Sequence, residues 1–220
     1  MTNSQITLAS REKLSGNWLP AILSFLIIAI LLNLHYLSSE TLSTPITLPS
    51  FFPYSDTINV SSKLSFNYAN IVTFILGGAL SFGGAVFSLF LVRGEKTDIE
   101  LIFSGFKDLN RFFVFLASNI LILIFTIAWT LLLIIPGIIA ALSYSMTYYI
   151  LVDNPEMSSL EAINQSKLMM KGHKWQLFKL WLRFIGLGCL CVLTIGIGFL
   201  WLIPYANICS AQFYDSLLED

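Results

Sequence analysis

Charge is scarce in this chain. Of its 220 residues only 11% are charged, whereas 56% are hydrophobic, and the mean hydropathy is +0.77. A soluble domain carries about 25% charged residues. Too little polar surface is therefore present to cover a water-facing globule, and lipid must be the main solvent. Neither sign of charge dominates. The net charge of -1 gives no field of the kind that draws nucleic acid.

Histidine and cysteine are few as well. The 2 histidines, His35 and His173, make no H-E-x-x-H pair. The 3 cysteines, Cys189, Cys191 and Cys209, lie in apolar stretches without the two-residue spacing of a zinc or redox motif. They read as small packing residues. Paired carboxylates for acid–base work are missing, and no acidic residue lies deep in an apolar run. The pairs Gly77-Gly78 and Gly83-Gly84 lack the strand–turn–helix context of a phosphate loop. These absences leave no catalytic, cofactor-binding or metal-ligating residues to name. The length leaves no room for a soluble domain of ordinary size beside the membrane part, so residues 1–220 read as one integral membrane domain.

What the chain has is long apolar runs. A membrane-spanning helix needs roughly 20 mostly apolar residues. Six spans are expected, at about 18–37, 68–92, 112–133, 137–152, 175–193 and 199–217. Trp18 and Tyr36 flank the first, where amphipathic rings prefer the interface. This run lacks a convincing small-x-small cleavage site and reads as an uncleaved first span. The Ser/Thr/Pro-rich stretch from Ser38 to Ser65 reads as an irregular loop, with a chance-grade sequon at Asn59. The second span carries Gly77, Ser81, Gly84, Ala85 and Ser88 at helical spacing, a bare face that admits a neighbouring helix. The run from Phe112 to Val152 is about twice what one span needs. Pro136-Gly137 is expected to divide it by a tight turn. Thr194 to Gly198 divides the last run in the same way; the rival reading keeps 184–203 as a single span.

Between the spans lie short amphipathic segments. The connector from Arg93 to Arg111 alternates in sign around Ile99, Leu101, Ile102, Phe103 and Phe106, which suits a short surface-lying helix. Ser158-x-x-Glu161 has the form of a capping box, and Gly172 is the expected stop of the helix it starts. A charged segment with a glycine (Gly105, Gly172) precedes an apolar hairpin twice, a weak sign of repetition. Of the 12 basic residues all but Lys63 fall in three segments on one side. The positive-inside tendency then places both termini in the cytosol of a multi-pass cell-membrane protein.

Several blocks together resemble a known family. They are Ser10-Arg-Glu-Lys-Leu-Ser-Gly-Asn-Trp18, Ile134-Ile-Pro-Gly-Ile-Ile-Ala-Ala-Leu-Ser-Tyr144, Leu151-Val-Asp-Asn-Pro-Glu-Met-Ser-Ser-Leu-Glu-Ala-Ile163, Met170-Lys-Gly-His-Lys-Trp175, Thr194-Ile-Gly-Ile-Gly-Phe-Leu-Trp-Leu-Ile-Pro-Tyr205 and Phe213-Tyr214. The chain resembles the domain-of-unknown-function 975 family of bacterial integral membrane proteins. The resemblance covers nearly the whole chain apart from the loop after Ser38. It implies a multi-helix membrane protein, mostly of Gram-positive bacteria, and no established activity.

The most functional-looking residues are the basic cluster Lys167, Lys171, Lys174, Lys179 and Arg183. They are candidate contacts for anionic lipid headgroups, against the plainer reading of topology signals and snorkelling side chains. Arg183 lies deepest, about two turns into the fifth span, and an intramembrane charge is costly enough to suggest a role. Ser118, Asn119, Asn207, Ser210 and Gln212 are candidates for a polar seam between helices. The fold expected is an all-α bundle of six membrane helices with short cytoplasmic amphipathic helices. The function expected is non-enzymatic, acting through membrane lipids or a membrane protein partner, with a small-solute permease as the alternative.

Overall fold

The computed structural model describes residues 1–38, 68–132, 134–194 and 196–219. The loop after Ser38, with its sequon and Lys63, lies outside the described residues. Every regular element among the described residues is helical.

The helices fall into three units, each a short helix followed by an apolar hairpin. The first unit is α1 (Asn3–Leu14), α2 (Trp18–Ser38) and α3 (Tyr68–Arg93). The second is a 3-10 helix, η1 (Ile99–Phe106), then α4 (Leu109–Leu132), α5 (Ile134–Tyr144) and α6 (Thr147–Asp153), with α5 and α6 forming one broken rod. The third is α7 (Ser159–Met169), α8 (Lys174–Leu193) and α9 (Phe199–Leu218). Each short helix lies on the second hairpin arm of the preceding unit: η1 on α3, α7 on α6, and α1, closing the ring, on α9. The repetition therefore has three members rather than the two visible in the sequence.

Local chemistry explains the short helices. Ser158 and Glu161 form the expected reciprocal capping box of α7. The Ser158 backbone and hydroxyl donate to the Glu161 carboxylate and hold it below its usual range. Thr2 and Gln5 make the same box at α1. Both helices stop at a glycine in the left-handed region, Gly16 at φ 89° and Gly172 at φ 88°, where a side chain is disfavoured. Both bury a serine one face down, Ser10 and Ser166.

α1 has no counterpart among the elements expected from the sequence. It turns 98° from α2 and buries Ile6, Ser10 and Leu14 completely. The connector after Arg93 holds the short amphipathic helix expected there. It is a 3-10 helix, and one face of it, Ile102 and Gly105, is buried against α3, while Ile99, Phe103 and Phe106 stay exposed. A methyl group at Gly83 would collide with the Ile102 carbonyl, and one at Gly105 would come within 2.6 Å of the Ala79 carbonyl. Ala79 lies fourteen residues before Arg93, roughly 20 Å along the helix at about 1.5 Å per residue. The glycines of α3 thus admit a neighbour on different sides: η1 at Gly83, α2 at Gly77 and Gly84, and α4 at Gly78.

The expected hairpin turn at Pro136-Gly137 lies slightly earlier. α5 already includes both residues, and Pro136 occupies its first turn, where a missing N–H costs nothing. Gly137 serves a different purpose from reversal: it allows α5 to press against Thr130 of α4. Between α8 and α9 the reversal is at Gly196, with φ 82°.

Among the described residues four stretches are long and apolar enough to cross a membrane: 76–93, 109–131, 135–153 and 174–193; the bent pair α1–α2 would make a fifth. α9 is absent from that set because Asn207, Ser210, Gln212 and Asp215 lower its apolarity. It can carry them because Ile208, Cys209, Ala211 and Phe213 are fully enclosed by protein. α4 and α8 are the opposite case, with only 11% of their spans buried, against 72% for α3. They form the outer wall, and α3, α5–α6 and α9 the interior.

Candidate functional site

The five basic residues do not converge. Lys167 projects from the last turn of α7, where a cation suits the helix dipole. Lys171 is exposed in the turn before α8, and Lys174 begins that helix. Lys179 places its ammonium 5.6 Å from the Trp175 ring centroid. Arg183 lines an open groove. Its Nη1 donates to Thr7 Oγ1 at 3.1 Å, and the Tyr205 hydroxyl donates to the Thr7 carbonyl at 3.3 Å. The short helix α1 is thereby tied to both arms of the α8–α9 hairpin. Its start is tied to α8 as well: Gln176 Nε2 donates to the Met1 carbonyl at 2.7 Å, and Asn3 Nδ2 to the Gln176 carbonyl at 3.0 Å.

This arrangement leaves a groove of about 470 Å³ between α8, α9 and the α1–α2 corner. Arg11 and Arg183 stand at one part of it, while Leu187, Leu190, Trp201 and Leu202 supply apolar wall. In the sequence Arg11 reads only as a topology signal. It is recruited because α1 folds back across the hairpin, an event with no trace in the spacing of the basic residues. A groove with guanidinium groups beside long apolar walls matches an anionic headgroup joined to acyl chains.

A second constellation lies where α3, α6 and α9 end. Arg93 forks onto Asp153, with Nη1 to Oδ1 at 2.7 Å and Nη2 to Oδ2 at 2.8 Å. It also donates to Asp215 Oδ1, from Nη2 at 3.0 Å and Nε at 3.3 Å. The Tyr214 hydroxyl donates to Asp153 Oδ2 at 2.9 Å, and the Tyr214 ring stacks on Tyr149 at 5.5 Å. One planar cation thus joins the second arms of all three units. The sequence shows these charges only as separate helix ends.

The polar seam does not form as one strip. Ser118, Asn207 and Ser210 donate to carbonyls of their own helices, at Val114, Ile203 and Ala206. Asn119 lies against Gly78, and Gln212 Oε1 is buried without a hydrogen-bond partner among the described residues. Among the described residues no group of three His, Cys, Asp or Glu side chains is placed to hold a metal.

A family model described as protein of unknown function (DUF975) matches residues 1–139 and 123–220, so the two matched segments overlap and run the length of the chain. No curated protein matches the chain, and no solved structure does.

Proposed function

The chain belongs to the DUF975 family, and for this member of it we propose a non-enzymatic, multi-pass cell-membrane protein that binds anionic phospholipid in the groove between α1, α8 and α9. The observation that carries this reading is the pairing of Arg11 and Arg183 with the apolar wall of one groove. With six spans and both termini in the cytosol, Arg11 and Arg183 lie toward the cytosolic end of the groove, and Thr194 and Gly198 at its outer end. The one-sided distribution of basic residues supports the orientation. Among the described residues Arg183 hydrogen-bonds to Thr7 through Nη1, and a guanidinium grips a phosphate with two parallel hydrogen bonds. Lys167 and Lys171, exposed and distant along the chain, add attraction to the surface without shaping a site.

The test is purification in mild detergent with bound lipid measured by mass spectrometry. Each basic residue near an anionic leaflet contributes about 1 kcal/mol. Arg183→Gln should therefore lower retained anionic lipid by about fivefold, and Lys167→Gln should leave it nearly unchanged. Equal retention in both variants would remove the lipid site and leave these residues as topology signals.

A further inference from the structure

The interior arms and α2 line a second, partly open cavity of about 430 Å³, separate from the basic groove. Ser81 and Gly84 of α3, Ser145 and Tyr148 beside the α5–α6 break, and Asn207 of α9 contribute to its wall, together with Phe25, Ile28 and Leu32 of α2. The break itself belongs to the cavity. Irregular backbone at membrane depth is tolerated where it lines a cavity and its freed groups find partners. Here Ser166 of α7 supplies them, donating to the Ser143 carbonyl at 2.8 Å and accepting from the Met146 N–H at 3.3 Å.

Among the described residues no charged side chain lines this space. An ion inside would lose its water without compensation, which is strongly unfavourable. An uncharged molecule with hydroxyl or amide groups would meet hydroxyls, an amide and aromatic faces. One end of the cavity is joined to the ion cluster. Tyr149 lines the cavity, its hydroxyl donates to the Asn207 carbonyl at 3.4 Å, and its ring stacks on Tyr214. Tyr214 in turn donates to Asp153, the residue that Arg93 forks. The same cation holds Asp215. Separation of α3, α6 and α9 at this end requires these contacts to break.

We propose that the central cavity binds a small uncharged polar solute, and that the Arg93–Asp153–Asp215 cluster with the Tyr149–Tyr214 stack is the closed gate at one of its ends. The proposal uses no residue of the lipid groove and does not depend on which face of the membrane the gate meets.

The test uses the full chain in detergent with Cys189, Cys191 and Cys209 replaced by alanine and a reporter cysteine introduced by Ser145→Cys. The probes are neutral 2-hydroxyethyl methanethiosulfonate and its cationic trimethylammonium analogue. Asp153→Asn should accelerate neutral labelling about tenfold, as expected when a charge-assisted contact that favours the closed state is lost. The charge swap Arg93→Asp with Asp153→Arg should return the rate to its original value. Monodisperse elution checks that each variant is folded, and Asp215→Asn, which removes the weaker arm, serves if Asp153→Asn does not fold. Equal labelling rates in the original chain, the carboxamide variant and the swap would overturn the gate. Cationic labelling as fast as neutral labelling would overturn the uncharged-solute assignment.

Discussion

Two helical glycines, Gly83 and Gly186, look alike in the sequence and should behave oppositely. At Gly83 a methyl group would strike the Ile102 carbonyl, a backbone atom that cannot rotate away. Gly186 faces open space on the outer wall, and a methyl group there would meet no described atom within 4 Å. Gly83→Ala should destabilise by about 1–3 kcal/mol through overpacking. Gly186→Ala should be neutral or stabilising by up to about 1 kcal/mol, because alanine is the better helix former. Melting temperatures of the two variants in detergent decide this, and similar losses in both would contradict the placement of η1. Small residues at helical spacing signal close approach; they do not say which element approaches. For the same reason Arg183 stands out by its depth in an apolar run, whereas Arg11 has no mark until α1 brings it to the same groove.

At the scale of elements, the apolar runs and the glycine-containing breaks place the long helices within a few residues of their observed ends. The capping box of α7 and its glycine stop are equally legible. α1 carries the same signals, Thr2-x-x-Gln5 and Gly16, but its modest apolar content hides it beside the much stronger run that follows. η1 is readable as amphipathic, but the neighbour of its buried face is not, since apolar residues facing lipid and apolar residues facing α3 look the same. α1 makes a direct prediction. Ile6 is fully buried and Leu8 is 57% exposed two positions away. Ile6→Ala should cost about 2–5 kcal/mol, with loss of the Arg183–Thr7 contact, while Leu8→Ala should cost little. Hydrogen exchange across residues 3–14 reports it, and equal exchange in the two variants would mean that α1 is not docked as described.

At the scale of the whole molecule, the chain is three units that close on each other, with one cation, Arg93, linking the second arms of all three. Composition makes the membrane setting legible because scarcity of charge is a property of the entire surface. Convergence of Arg93, Asp153 and Asp215 is not legible, because each is separated from the others by more than one complete helix. On the proposed topology, three hairpins with their short helices at one end give an even number of crossings, so that both ends of the chain share a side, and the basic residues make that side the cytosol. The most direct measurement is a pair of bacterial fusions after Glu219, one to a fluorescent protein that matures only in the cytosol and one to a phosphatase active only outside it. Six spans with both termini in the cytosol should give bright fluorescence and no phosphatase activity. An active phosphatase with a dark fluorescent fusion would contradict it.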